Sequence, residues 1–269
     1  MTVSRHWYRP PRNPVVARQE RPPMPENASV SAHAEHSLAH LREVGEHNAA
    51  GLRDAAARLL DCIRSDGLIY TAGAGHSLAG VMETFYRAGG LAAIRPLYHP
   101  DLLPLHGAVP STRTERRTGL AELVITEAGF RGGTDALVVF SNSGVNPYPV
   151  ELAMTARSAG SPVVAVTSPT ASAEAPKRAG TTLAEQATIV LDTLVPGGDA
   201  SYPPHAPVTA PLSSLTNVHV WNLLLVELHE AAREAGVDLP VWRSSNTIGG
   251  DEANAANLAH YGERVPGLQ

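Results

Sequence analysis

From about residue 67 onward, short apolar runs alternate with segments of helical periodicity. The apolar runs predict strands at 67–72, 92–97, 136–141, 162–167 and 188–192. Between them, helical patterns cover 77–88 and 147–159, and a shorter one lies near 171–179. Near-continuous apolar strands separated by helices are typical of a parallel sheet covered on both faces. The pattern therefore predicts an α/β protein.

Helical patterns also flank this alternation. Segments 30–48 and 49–65 are predicted helices, and a long apolar helix covers 215–235 before Gly236. Apolar side chains surround most of that last helix, so we expect it in the core or in a subunit interface. Six prolines make 1–28 an extended arm. We expect one domain at 29–240 and a tail, 241–269, whose short helix is a candidate for a subunit interface.

Composition excludes several classes of protein. The 269 residues are 43% hydrophobic, which is ample for a core, and carry a net charge of −5 without a basic run, so we expect no nucleic-acid partner. No apolar run approaches the ~20 residues of a membrane span. We therefore expect a cytoplasmic protein without a membrane partner. The single cysteine, Cys62, excludes an internal disulfide and a cysteine metal cluster.

Small hydroxyl residues follow three of the predicted strands. They lie in Gly73–Ser77, in Ser141–Gly144 and at Thr167 and Ser168. One such serine is often only a helix N-cap, but ligands of doubly wound sheets bind at this edge, and three clusters there favour a binding site. The first turn leads into a helix, and Pro147 suits the first turn of another. Both helix N-termini would offer backbone N–H groups to a phosphate or other anion.

Two other motifs compete for the first turn. A dinucleotide fingerprint would need glycine where Leu78 stands. Segment 75–79 resembles a nucleophile elbow with alanine at its last position, and Asp192 or Asp199 with His219, His229 or His260 could complete a triad. An elbow normally follows several strands, whereas only helices and the arm precede this turn. The anion site is therefore the favoured interpretation.

Together, these loops resemble the SIS domain, the sugar isomerase fold of phosphosugar enzymes, over residues 29–235. The resemblance rests on Gly73–Ser77 with Glu83, on Ser141–Gly144 followed by Asn146, and on Thr167 and Ser168. It implies a three-layer αβα sandwich with a five-stranded parallel sheet, and an obligate homodimer or larger assembly. It also implies a bound sugar phosphate, whose phosphate-binding and substrate-binding residues are Gly75, Ser77, Ser141, Asn142, Ser143, Asn146 and Ser168. Threonine is common in the family where Asn146 stands.

Glu83 indicates which members of the family this chain resembles in its chemistry. N-acetylmuramic acid 6-phosphate etherases carry a catalytic glutamate at the matching distance from the first turn. Phosphoheptose isomerase has a metal-binding histidine there, so we expect neither a metal nor a cofactor. In the tail, Asn246, Gly249–Glu252 and Asn254 resemble single-SIS-domain proteins similar to N-acetylglucosamine 6-phosphate dehydratase.

The resulting hypothesis is dehydration of an N-acetylamino sugar 6-phosphate. Glu83 would remove the proton at C2, next to the open-chain aldehyde, and the C3 hydroxyl would leave as water. On the predicted helix, His76, Gly80, Glu83 and Arg87 share one face, and Leu78, Val81, Met82 and Phe85 share the apolar face. An exposed ion pair between Glu83 and Arg87 is the simpler interpretation of that carboxylate taken alone.

Other residues have supporting or purely structural interpretations. His76 could open the sugar ring, and His106 or Glu115 could supply a second acid, although all three also suit surface positions. Glu252 could reach a neighbouring subunit's site or only lie in the first turn of the last helix. A histidine stripe, His33, His36, His40 and His47, favours a solvated face or an interface over a metal site. Aldose-ketose isomerase and noncatalytic sensor remain alternative functions; without a DNA-binding module, an enzyme is favoured.

Overall fold

Five parallel strands form the central sheet in the order β2-β1-β3-β4-β5. The computed structural model describes residues 28–269. All of the predicted arm except Ala28 therefore lies outside the described residues. The strands are β1 Ile69–Gly73, β2 Ile94–Leu97, β3 Ala136–Phe140, β4 Val163–Thr167 and β5 Ile189–Asp192. Every residue of β1, β3 and β4 is buried. The predicted parallel sheet is confirmed, and its apolar runs reflect burial on both faces.

Two layers of helices cover this sheet. The first layer contains α1 Ala28–His47, α2 Ala49–Arg64, α3 Leu78–Thr84 and α9 Ser213–Ala235. The second contains α5 Leu120–Glu127, α6 Pro147–Ser158 and α8 Leu183–Gln186. The chain winds from β1 to β2 in one direction and from β3 to β5 in the other. Right-handed crossovers therefore place α3 and α6 on opposite faces, which makes the three-layer sandwich.

The remaining elements lie around this core. They are α4 Ala108–Glu115, α7 Pro169–Glu174, α10 Gly250–Tyr261 and an antiparallel hairpin of β6 Ala200–Tyr202 with β7 Thr209–Pro211. The tail packs on the domain: Val241 forms a bridge with Leu91, and Trp242 and Tyr261 are buried. Within residues 28–269, each helix is too short or too polar to span a bilayer.

Helix α3 ends four residues before the predicted boundary. Phe85 is extended and Tyr86 has a φ of 45°, so the backbone leaves the helix after Thr84. The buried Thr84 hydroxyl donates to the Val81 carbonyl and lies 3.0 Å from the Thr71 hydroxyl of β1. Such local side-chain bonds compete with helix continuation. The predicted apolar face was wrong at one position, since Met82 is 75% exposed.

Two other helices differ from their predictions. Helix α7 starts at Pro169 and ends at Glu174, ahead of the predicted 171–179, because Ser168 caps its first turn and Ala175 is extended. Helix α9 starts at Ser213, ahead of the predicted start at residue 215, and ends as predicted at Ala235, before Gly236, whose φ is 65°. Its circumference is not fully covered by this chain, since Leu215 and Val226 are exposed.

Candidate functional site

A cavity of about 440 Å³ opens at the carboxyl edge of the sheet. It lies where the winding direction reverses between β1 and β3, the position at which doubly wound sheets bind ligands. Loops after three strands and the ends of α4 and α7 form its wall. The lining residues are Ser77, Glu115, Ser141, Asn142, Ser143, Ala171, Glu174, Ala175, Gly197, Gly198 and Asp199. Five of these residues are predicted site residues: Ser77, Glu115, Ser141, Asn142 and Ser143.

The turn after β1 brings Ser77 to the cavity. Gly75 has a φ of 59°, a conformation that glycine adopts without the steric cost of a side chain. It begins a 3-10 turn, Gly75–Ser77, in which the Ser77 N–H donates to the Ala74 carbonyl at 3.1 Å. This turn runs directly into α3, so Ser77 stands at a helix N-terminus beside the cavity.

The loop after β3 forms the opposite wall. The Ser141 hydroxyl accepts from the Gly144 N–H at 3.3 Å, and the Asn142 side chain accepts from the Thr193 hydroxyl at 2.7 Å. The Ser172 hydroxyl donates to the Ser143 carbonyl at 2.7 Å. The backbone N–H groups of Asn142 and Ser143 donate to neither a backbone nor a side-chain acceptor among residues 28–269. Two free, adjacent N–H groups beside serine hydroxyls can bind an anion.

The cavity lining contains three carboxylates and no lysine or arginine. The Asp199 carboxylate accepts from the Leu212 and Ser213 N–H groups and from the Ser213 hydroxyl, so it caps the N-terminus of α9. Its charge is thereby stabilised by the helix dipole. An anion in this cavity would be held by backbone N–H groups, hydroxyls and helix N-termini rather than by basic side chains.

Glu115, the last residue of α4, is the titratable group that this cavity perturbs. Burial raises the pKa of its carboxyl, against the opposing effects of an Asn146 hydrogen bond and the charges of Arg116 and Arg178. Asn146 donates through Nδ2 to Oε1 at 2.7 Å. Oε2 has no hydrogen-bond partner within the described chain. A raised pKa and a free oxygen make this carboxyl a candidate for proton transfer.

Asn146 is buried at the N-cap of α6, and both ends of its amide are engaged. Its Oδ1 accepts from Arg178 at 3.1 Å while its Nδ2 donates to Glu115. Pro147 occupies the first turn of α6, as the sequence indicates. The direct substrate contact proposed for Asn146 stays a prediction, because the side chain does not line the cavity.

The two predicted catalytic residues on the first turn and α3 lie outside the cavity lining. Glu83 forms an ion pair with Arg87, Oε1 to Nε, at 2.7 Å, and its side chain is 17% exposed. The pair forms although Arg87 lies beyond the end of α3. His76 is exposed at the 3-10 turn. The catalytic roles of Glu83 and His76 stay predictions.

The other candidates are spread around the domain. Ser168 is fully buried, and its hydroxyl caps α7 by accepting from the Ala171 N–H at 3.2 Å. His106 is exposed, with Nδ1 3.2 Å from the Pro100 carbonyl oxygen. Glu252 is exposed in the first turn of α10. Ser168, His106, Glu252 and Gly75 do not line the cavity, and their functional roles stay predictions.

The described residues do not form the catalytic triad or the metal site that the competing motifs would require. Among residues 28–269, no histidine hydrogen-bonds to Ser77, and His260 instead lies 2.8 Å from Asp66. In the histidine stripe, His40 Nε2 lies 3.2 Å from the Thr216 hydroxyl. The described residues bring together no three metal-ligating side chains.

Comparisons with known proteins identify the family. A family model for the SIS domain matches residues 32–168, half of the chain. A UPF0309 protein of Listeria innocua is 34% identical over 230 residues, which span 84% of this chain and 93% of that protein. The chain belongs to the SIS domain family. A UPF0309 protein of Streptomyces coelicolor is 36% identical over 233 residues, 84% of this chain and 92% of its own length.

Among solved structures, a phosphoheptose isomerase from Francisella tularensis is similar to this SIS domain protein. The similarity covers 77% of this chain and all of that one, with 15% sequence identity and a TM-score of 0.47.

Several residues of this SIS domain's cavity had no signal in the sequence. Glu174, Gly197 and Gly198 follow β4 and β5, and only the Gly197-Gly198 pair indicates a turn. Asp199 was a candidate only as the acid of a catalytic triad, not as part of a sugar-phosphate site. Arg178 reaches the site through Asn146, from a segment without regular structure between α7 and α8. A carboxylate at the end of a short helix, such as Glu115, gives no indication of its burial.

Proposed function

We propose that this SIS domain protein is a phosphosugar lyase that dehydrates an N-acetylamino sugar 6-phosphate. One observation carries the proposal: a single cavity joins two serine loops that suit a phosphate to the partly buried Glu115 carboxyl, which suits proton transfer. Its volume of about 440 Å³ falls within the range of about 300–1,000 Å³ typical of small-molecule sites. N-acetylglucosamine 6-phosphate is the substrate with which we would test it.

The phosphate would bind between the two serine loops. Ser77, Ser141 and Ser143 offer hydroxyls, and the N–H groups of Asn142 and Ser143 are free to donate. Phosphate oxygens are acceptors only, so a site made of donors suits them. A phosphorylated sugar does not cross a membrane unaided because of its charge. The proposed substrate therefore indicates an enzyme of the cytoplasm.

The sugar would then extend towards the proton-transfer groups. Dehydration removes the C2 proton and returns a proton to the departing C3 oxygen, so the products are water and an α,β-unsaturated aldehyde. Glu83 is the base that the family resemblance suggests, and Glu115 is the carboxyl that the cavity presents. Because burial raises its pKa, Glu115 keeps its proton to a higher pH than an ordinary glutamate does, which suits the donor to the C3 oxygen.

The experiment is incubation with N-acetylglucosamine 6-phosphate in deuterated water, followed by mass spectrometry. We expect a product lighter by one water. Deuterium incorporation into a sugar of unchanged skeleton, with no dehydrated product, would instead indicate isomerisation or unproductive exchange and overturn the lyase assignment. Binding without either reaction would favour the sensor alternative.

Variants separate the roles of the two carboxylates. If Glu83 is the base, Glu83→Gln loses both C2 exchange and dehydration, whereas Arg87→Gln, which breaks the same ion pair, keeps both. If Glu115 donates to the leaving oxygen, Glu115→Gln keeps C2 exchange and loses dehydration. Full turnover by Glu83→Gln would refute that base, and loss of exchange in Glu115→Gln would make Glu115 the base instead. Glu122→Gln, at an exposed position on α5, is the control for charge removal.

We also infer that the protein is a homodimer or larger homo-oligomer. Leu215 and Val226 of α9 and Leu38 of α1 are large apolar side chains that this chain leaves exposed. Burying them against a second copy would stabilise an assembly through the hydrophobic effect. Light scattering after size-exclusion chromatography tests this, and a monomer at micromolar concentration would contradict it.

A further inference from the structure

Three segments distant in sequence meet in a chain of hydrogen bonds behind the cavity. These hydrogen bonds link Arg178 to Asn146 and Asn146 to Glu115. Arg178 Nη1 donates to Asn146 Oδ1 at 3.1 Å, and Asn146 Nδ2 donates to Glu115 Oε1 at 2.7 Å. The backbone N–H of Arg178 also donates to the Val145 carbonyl at 3.1 Å, so its main chain is fixed beside the amide it contacts.

We propose that Arg178 is a positioning residue that holds the Asn146 amide in the one orientation able to donate to Glu115. A guanidinium has only donors, so the atom facing it must be the amide oxygen. The amide nitrogen must then face Glu115. Without Arg178, the amide could rotate by 180° and present its oxygen to Glu115, which would require a protonated carboxyl. This inference rests on the proposed function only in giving Glu115 a catalytic role.

Other charged groups around Glu115 do not set the amide orientation. Arg116, on the same helix, acts on the carboxyl through its charge. Glu174 and Asp199 line the same cavity. His76 and His106 belong to the 3-10 turns that pack against α4, but both are exposed and outside the cavity lining. Among these charged neighbours of Glu115, Arg178 is the one that hydrogen-bonds to the Asn146 amide.

The test is a titration of the Glu115 carboxyl in the full-length protein by ¹³C NMR, with Glu115→Gln assigning its signal. In Arg178→Met, we expect the midpoint to rise by about 1 pH unit, since a nearby positive charge and a donated hydrogen bond each favour the carboxylate. Arg178→Lys, which keeps a donor and a charge, should give a smaller rise. Arg116→Met removes a charge without touching Asn146, and we expect it to move the midpoint less than Arg178→Met.

Two outcomes would overturn the positioning role. One is an unchanged midpoint in Arg178→Met, and the other is an equal rise in Arg116→Met, which would reduce Arg178 to a distant charge. Neither outcome depends on turnover of the sugar phosphate. If the titration behaves as expected while Glu115→Gln dehydrates normally, the positioning role stands and the catalytic role of Glu115 fails. If the positioning role of Arg178 and the catalytic role of Glu115 both hold, Arg178→Met should also shift the pH profile of kcat in the same direction as the Glu115 titration.

Discussion

Adding a methyl group at Gly144 should damage the serine loop specifically. Gly144 has a φ of 57°, and a Cβ there would lie 2.7 Å from the Thr167 hydroxyl oxygen, 3.1 Å from the Ser172 hydroxyl oxygen and 3.2 Å from the Leu183 Cβ. The first distance is shorter than real Cβ atoms show, so the loop or β4 must move. Because the Asn142 and Ser143 N–H groups belong to this loop, displacement should also weaken anion binding.

The magnitude follows from a matched glycine. Gly129 has a φ of 65°, and a Cβ there would have no neighbour within 4 Å. Gly129→Ala therefore meets only the left-handed backbone penalty of about 1–2 kcal/mol. Gly144→Ala meets the same penalty plus overpacking, which typically costs about 1–3 kcal/mol. We expect the two variants to differ in free energy of unfolding by the overpacking cost of about 1–3 kcal/mol.

Urea unfolding measures the stability of both variants, and calorimetric titration with inorganic phosphate measures the site. We expect Gly144→Ala to be the less stable variant and to lose phosphate affinity, while Gly129→Ala binds as wild type does. Thr167→Ala should cost less in the Gly144→Ala background than in wild type, because it removes the colliding oxygen. Equal stability losses at the two glycines would refute the packing argument. Unchanged phosphate affinity in Gly144→Ala would refute the placement of the phosphate.

Two further predictions concern the contacts that hold α1 and α2 to the domain. Burial lowers the pKa of His40, so the folded state favours the neutral ring and stability should fall as pH decreases below about 6.5. Thermal unfolding from pH 8 to 5 checks this, and an identical pH dependence in His40→Gln would contradict it. The buried Asn48 side chain bonds both the N–H and the carbonyl of Asp192. Asn48→Ala should cost about 1–3 kcal/mol in urea unfolding by leaving these groups unsatisfied, whereas Asn222→Ala, at an exposed amide, should cost little.

The sheet could be predicted because its information is local. β1, β3 and β4 are continuous apolar runs, and a strand buried on both faces requires no more than that. The serine loops followed from the same reasoning, since parallel strands bring their carboxyl ends to one edge. Ser77, Ser141 and Ser143 do line one cavity.

The rest depended on contacts between distant segments. Helix α3 ends where Thr84 contacts Thr71 of β1, and the helical periodicity of the sequence cannot predict that contact. Glu115 could be interpreted as a surface residue because α4 has only eight residues and a weak pattern of apolar positions. Its partial burial accompanies the Asn146 hydrogen bond and its place in the cavity wall. The Arg178 contact likewise depends on the path of an irregular segment, which tertiary packing determines.

The position of β1 has a consequence for the order in which the cavity can form during synthesis. Ile69 pairs with Ile94 of β2 on one side and with Ala136 of β3 on the other. A chain emerging from the ribosome can pair β1 with β2 early, but the second serine loop follows only after β3, and Arg178 later still. A ligand of this cavity therefore cannot stabilise the first half of the nascent chain. Until the later strands arrive, the inner edge of β1 is an open template for incorrect pairing.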